Sequence, residues 1–304
     1  MTFQFHEFDR MPRTPDFILI GAMKCGTTSL KQNLNTHDEI HVVPEEPRFF
    51  HSDRYDEQGL EQYFSLFEGR AEAVVGESSG FYAWDSWCED TAERMGRDVP
   101  EAKILYIIRH PVERVESHWA WGIGNGQSWG TINEAVQEVD RLIEMSLHWR
   151  QLSRYRTHFD DDQIKVLFLE DLKADSRAFF RDCGRFLGVN PDGFDFGEAA
   201  TPKNQTADKR TDTRLAQRLR QWSGFWSLKG ILPDSVIRLG KQVLRRDGKM
   251  EPDWDEAMRR RVEERLAPDA ARMLDYCERS RGLWSFDTLS LKKVDPASDV
   301  GAAA

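Results

Sequence analysis

The sequence predicts an α/β fold of three layers, a mainly parallel central sheet flanked by helices. Three observations predict it. Phe17-Ile18-Leu19-Ile20 is an apolar run of strand length that ends at Gly21, and a helical pattern follows from Leu30. Lys103-Ile104-Leu105-Tyr106-Ile107-Ile108 repeats the arrangement, leading through Arg109-His110-Pro111 into a second helical pattern. Such strand and helix alternation continues along the chain. Continuous apolar runs belong to strands buried on both faces, and alternation with helices implies the crossovers that a parallel sheet requires.

Taken in order, residues 1–14 form an arm of mixed polarity with no assignable element. One domain is expected over 15–287, because 304 residues at 39% hydrophobic and 31% charged suffice for one large core with its capping helices. Strands are expected at 17–22, 73–78, 103–108 and 164–169, and helices at 27–35, 112–121, 131–157, 175–187, 212–221 and 254–279. Pro111 suits the first turn of its helix, where the missing amide hydrogen costs nothing. Residues 288–304 read as a flexible tail.

The segment Gly21-Ala22-Met23-Lys24-Cys25-Gly26-Thr27-Thr28-Ser29 has the character of a phosphate cradle. Glycines admit an anion close to the backbone, and the amides and dipole of the following helix favour negative charge. Gly21 and Gly26 have the separation of a Walker loop, but Lys24 lies inside the loop and Thr27 occupies the usual lysine position. The fold is therefore P-loop-like, with a loop suited to a phosphate donor other than a nucleoside triphosphate. A plain strand, turn and helix of a Rossmann-like core is the alternative, which the lysine and hydroxyl cluster disfavours. Arg109 marks a second anion site, since ligands of open α/β sheets bind at carboxyl ends of strands. Ser117, two helical turns on, would converge with it on one phosphate. A structural ion pair of Arg109 with Glu113 is the competing reading.

These motifs resemble those of sulfotransferases that use 3′-phosphoadenosine 5′-phosphosulfate. Gly21–Ser29 is similar to their 5′-phosphosulfate loop and Ile104–Ser117 to their 3′-phosphate site, most closely in the branch of Golgi heparan sulfate enzymes and many bacterial ones. Pro44-Glu45-Glu46-Pro47-Arg48-Phe49-Phe50, Gly76-Glu77-Ser78-Ser79-Gly80-Phe81-Tyr82, Glu170-Asp171-Leu172 and Phe186-Leu187-Gly188-Val189 continue the likeness over residues 15–190. The resemblance implies transfer of a sulfuryl group to a hydroxyl, with adenosine 3′,5′-bisphosphate as product. It also implies Glu46 as general base, and it points to Arg48 and Ser78 as acceptor-site positions where the family often has histidine and, in some glycan-specific members, lysine.

Sulfuryl transfer is an in-line displacement through a loose transition state in which charge builds on the bridging oxygen. Lys24 is the residue suited to stabilise that oxygen, with Gly21, Cys25, Gly26, Thr27, Thr28, Ser29 and the loop amides around the 5′-phosphate. No metal is expected, because a sulfuryl group carries less charge than a terminal phosphate and no Walker B partner stands out. For Glu46, a sheltered place beside Phe49 and Phe50 would raise its pKa toward neutrality; the alternative is that Glu45 and Glu46 form a solvated acidic pair.

The net charge of -10 opposes a polyanionic acceptor and leaves no basic tract for nucleic acid, so a neutral small-molecule or glycan acceptor is expected. No run of membrane-spanning length and no signal sequence stands out, which suggests a cytoplasmic protein with no integral membrane segment. The 4 cysteines are scattered and read as free thiols; Cys25 is either activated by its loop or a buried filler. Trp119, Trp121 and Trp129 flank a glycine-rich loop and serve either the core or an acceptor groove, Trp121 being the candidate contact. His148 either faces the acceptor as an alternative base or lies on the surface. Lys203, Asn204, Lys209 and Arg210 form either a lid over the nucleotide or a solvated loop. Two other functions share these features: a P-loop small-molecule kinase, and a nucleotide-binding module without turnover.

Overall fold

Aliphatic runs build the sheet. In the computed structural model, which describes residues 12–52, 55–84, 90–195, 211–212, 245–246 and 251–291, β1 (Phe17–Gly21) is buried along its whole length. It is followed by α1 (Thr27–Leu34), β2 (Ile40–Val42), α2 (Glu57–Ser65), β3 (Val74–Ser78), α3 (Thr91–Asp98) and β4 (Lys103–Ile108). The chain continues through α4 (Pro111–Gly124), α5 (Ile132–Glu138), α6 (Arg141–Glu144), α7 (His148–Tyr155), β5 (Ile164–Phe168), α8 (Leu169–Ala174) and α9 (Ser176–Leu187). The helix at Glu256–Tyr276, α10 here, packs on α4, α5 and α7.

The five strands are all parallel in the order β2-β3-β1-β4-β5. β1 therefore sits between β3 and β4, and the chain changes direction across the sheet there: β2 and β3 lie on one side, β4 and β5 on the other. The crevice at the carboxyl ends of β1 and β4 is the place where open sheets of this kind receive ligands. Ile18, Leu19, Ile20 and Ile104 through Ile108 are all fully buried at 0% exposure, which explains why they read as unbroken apolar runs.

Local signals set several helix ends. Asp56, Asp175 and Asp255 cap α2, α9 and α10 through side chains that accept from Gly59, Ala178 and Met258 amides. Thr131 and Glu134 form a reciprocal capping box at α5, and Gly188, at φ 84°, closes α9 in a left-handed turn.

Three expectations need correction. The single helix expected at 131–157 is three helices, because tertiary partners replace its internal hydrogen bonds: Arg114 takes the Leu142 carbonyl at 3.0 Å, and Asp269 of α10 accepts from the Trp149 and Arg150 amides at 3.0 and 2.8 Å. β2, α2, α3 and α8 were absent from the expected elements; α8 begins at Leu169, where a strand was expected to end. The tail does not start at 288. Buried Glu263 accepts from the Thr288 amide at 2.8 Å, and Leu291 is 2% exposed. Arg13 is also anchored, donating to the Glu72 carbonyl at 2.9 Å. The helix expected at 212–221 and the loop with Lys203, Asn204, Lys209 and Arg210 lie outside the described residues, apart from an antiparallel backbone pairing of Thr211–Asp212 with Arg245–Arg246.

Candidate active site

β1 delivers the glycine loop to the crevice. Gly21 (φ 145°) and Gly26 (φ 96°) hold positive φ values that side chains resist, and a Cβ on them would lie 3.0 Å from the Gly80 oxygen and the Leu169 Cδ1 respectively. Gly26 is also the residue before α1. Having no side chain, it supplies no side-chain cap, and a helix start directs its first amides toward the loop mouth. The loop is held from both neighbouring strands: the Ala22 amide donates to Ile107 of β4 at 2.7 Å, and the Ala83 amide, beyond β3, donates to Ile20 at 2.9 Å.

Lys24 itself has φ 73°, a left-handed conformation rare for a lysine, and its ammonium stands 5.8 Å from the centre of the Trp121 ring. Thr27 faces Gly80, where a Cβ would lie 3.8 Å from its hydroxyl. Thr28 is exposed and Ser29 buried. Cys25 is fully buried, and burial pushes its thiol up to about 12, which makes it packing rather than a reactive group. Its sulfur meets the backbone of Arg109, so the glycine loop and the end of β4 share a wall.

Arg109 lies just past the end of β4 and pairs with Glu113, the structural partner considered from the sequence. The pair does not exhaust it. Its Nε is buried with no hydrogen-bond partner, as are His110 Nδ1 and Glu170 Oε2 beside it. Buried polar atoms are nearly always satisfied, so orphans gathered at the neighbouring carboxyl ends of β4 and β5 mark a place for a polar ligand. Ser117 is half-buried on α4, two turns beyond.

The segment 44–50 closes the site's other side. Lys31 of α1 donates to the Pro44 carbonyl at 2.6 Å, and the Arg48 amide donates to Ser79 Oγ at 3.1 Å, which ties this loop to the end of β3. Glu46 is not sheltered as expected: its side chain is 42% exposed and paired with Arg48 at 3.0 Å. Phe49 and Phe50 are buried away from it in a cluster with Tyr55 and Tyr63.

The sheltered carboxyl is Glu77. It is fully buried on β3, and burial pushes it from 4.5 up to about 7, although Ser79 Oγ, Tyr63 Oη and Tyr82 Oη donate to it at 2.7, 2.9 and 3.0 Å. A lone acidic residue in an apolar strand is the signal that marks it in the sequence. Glu77 supports the 44–50 loop through Ser79, which both donates to the carboxyl and accepts from Arg48.

Other candidates move away from the site. His148 is fully buried, its ring nitrogens engaged with the Arg109 carbonyl at 3.0 Å and Tyr106 Oη at 3.3 Å, and burial pushes it down to about 3. It is neither a surface residue nor an acceptor-facing base, because a ring packed against Trp284 and Tyr106 has no open side. Ser78 is 2% exposed and belongs to the sheet rather than to an open acceptor surface. Trp119 and Trp129 are buried core residues, which leaves Trp121 as the half-buried aromatic at the loop. A groove of about 730 Å³ along β5 lies apart from all of this; its cations Lys165 and Arg279 are already paired with Asp182 and Asp171.

Residues 14–212 match the family model described as the sulfotransferase domain. The chain is 35% identical to the membrane-associated sulfotransferase kil1 of Dictyostelium discoideum over 36% of its own length and 23% of that protein. It is 28% identical to heparan sulfate glucosamine 3-O-sulfotransferase 5 of Mus musculus over 62% of its length and 57% of that protein. It thus spans less than two thirds of either curated relative. A crystal structure of a sulfotransferase from Alicyclobacillus acidocaldarius superposes with a TM-score of 0.62 at 25% identity, covering 90% of this chain and 99% of that one.

Proposed function

The chain belongs to the sulfotransferase domain family, and from that premise we propose that it transfers a sulfuryl group from 3′-phosphoadenosine 5′-phosphosulfate to an alcohol. The observation that carries the reading is the juxtaposition of an uncapped, glycine-bounded loop holding Lys24 with Arg109, whose Nε is buried and unpartnered. Those residues fit such a donor. The glycines leave room for a phosphate, the α1 amides and Lys24 match its charge, and Arg109 with Ser117 suits a second phosphate on the ribose. Once bound, the donor supplies an activated sulfuryl group on a bridging oxygen.

The chain's own groups divide the remaining work. Lys24 places positive charge where the leaving oxygen becomes anionic. Glu46, oriented by its pair with Arg48, is the carboxylate assigned to take the acceptor's proton. Trp121, at the mouth of the loop, offers a ring face suited to a sugar. We assign the acceptor as a hydroxyl of a carbohydrate or glycosylated metabolite. A neutral one is favoured, because a protein of net charge -10 repels a polyanion at long range.

The test compares thermal shifts with adenosine 3′,5′-bisphosphate, AMP and ATP, followed by transfer from labelled donor to a panel of neutral and sulfated glycans. Stabilisation by the bisphosphate well above AMP and ATP is expected. Preference for ATP with magnesium would instead indicate a kinase, and bisphosphate binding without transfer to any acceptor a binding module.

A further inference from the structure

Beneath the loop lies a charge that the reaction as described does not use. Arg114 of α4 is 0% exposed, yet no carboxylate meets its guanidinium among the described residues. Its Nε donates to the Met23 carbonyl at 3.2 Å, its Nη1 to the Leu142 carbonyl at 3.0 Å and Ser146 Oγ at 2.9 Å, and its Nη2 to His118 Nδ1 at 2.9 Å. His118 can accept because burial first, and then Arg114 itself, push its pKa down to about 2 and keep it neutral. A buried cation is costly unless paired or fully hydrogen-bonded, so its presence here calls for a reason.

Geometry supplies one. The Met23–Lys24 peptide is trans, and a trans peptide points its carbonyl and its amide hydrogen in opposite directions. With the Met23 oxygen drawn inward to Arg114, the Lys24 amide faces away from the core. The next residue along that turned peptide is the one with φ 73°. A left-handed lysine persists only where its surroundings over-determine it, and the guanidinium is anchored well enough to do so, through Leu142 and Ser146 in the α6 region and His118 on α4.

We propose that Arg114 is the positioning residue for Lys24: its guanidinium grips the Met23 carbonyl from beneath, sets the Lys24 backbone, and adds a buried positive charge under the donor loop. The proposal rests on the reading of this loop as the donor site. It also accounts for the break between α5, α6 and α7, because Leu142 and Ser146 are placed to hold the guanidinium rather than to continue one helix.

The experiment is a double-mutant cycle read as adenosine 3′,5′-bisphosphate affinity by calorimetry, on the full chain, with Arg114→Lys and Lys24→Ala. Arg114→Lys keeps the charge but loses the fork that reaches Met23, Leu142, Ser146 and His118 together. It should weaken binding about tenfold in the wild-type background and by less than about threefold beside Lys24→Ala, because an effect passing through Lys24 disappears with it. Ser146→Ala loosens one anchor without disturbing the buried charge; it should weaken binding about two- to fivefold, and again not in the Lys24→Ala background. The Ser146 arm decides the matter should Arg114→Lys not fold. Equal fold-losses in both backgrounds, or wild-type affinity in both variants, overturn the proposal. A wild-type protein that does not bind the bisphosphate refutes the donor-site reading itself, and the proposal falls with it.

Discussion

Arg109 gives one nitrogen to Glu113 and keeps Nε buried without a partner, so its substitution should separate two nucleotides. Arg109→Ala should weaken adenosine 3′,5′-bisphosphate by roughly 1.5–3 kcal/mol, the worth of a charge-assisted contact, and AMP far less. Equal losses by calorimetry would remove the 3′-phosphate assignment. Lys24 and Glu46 should fail in different ways. Lys24→Ala should depress transfer to every acceptor, whereas Glu46→Gln should keep donor affinity and lose about 10²- to 10⁴-fold in single-turnover transfer. An exposed Glu46 is compatible with that role only with Arg48 orienting it; wild-type transfer by Glu46→Gln would require another base. Glu77 makes a pH prediction. Its folded pKa of about 7 lies above its unfolded 4.5, so between those values the folded state holds the extra proton. Its contribution is then fully present below pH 4.5 and is lost as pH rises to 7, by up to roughly 3 kcal/mol. Denaturant melts of Glu77→Gln against wild type should show a stability difference that changes across this window; a difference independent of pH would refute the shift.

Elements in this protein are joined by carboxylates acting across helices. α7 has no side-chain cap of its own at Leu147, and Asp269 of α10 accepts from two of its first-turn amides instead. Asp269→Ala should therefore cost about 1–2 kcal/mol, the upper part of the range for a lost helix cap, with little change in bisphosphate affinity. Urea denaturation and calorimetry test the two halves of that statement. Glu263 does the same for the segment after α10, holding the Asp287 and Thr288 amides at 3.0 and 2.8 Å.

The whole molecule combines a chain of net charge -10 with a core that shelters neutral imidazoles behind the glycine loop. Burial lowers His118 to about 2 and His148 to about 3, from 6.5, so the unfolded chain takes up two protons as pH falls below 6.5 and the folded one does not. Glu77 opposes with one proton between 4.5 and 7, leaving the imidazoles dominant. Melting temperature should fall as pH drops from 6.5 toward 4.5, and His148→Gln should flatten that fall. Scanning calorimetry across this range checks both. No helix among the described residues is long and apolar enough to cross a membrane.

What the sequence by itself determined is local and periodic: the buried strands at Phe17 and Lys103, the glycine loop between Gly21 and Gly26, the helix that has Pro111 near its first turn, and through these motifs the family. Short-range chemistry suffices there, since a glycine's φ freedom, a proline's missing donor and an unbroken aliphatic run each act within a few residues. Only the tertiary structure decided the environments. Glu46 and Glu77 are both acidic residues beside apolar segments in the sequence, yet one is solvated and paired with Arg48 and the other fully buried among hydroxyls. His148 reads as a surface or acceptor-facing group until Tyr106 and Trp284 enclose it. Nothing in the sequence singles out Arg114, whose grip on Met23 spans 91 positions of sequence. Burial, pKa and hydrogen-bond partners are set by the residues that distant segments bring alongside, and those contacts exist only after the chain has closed around them.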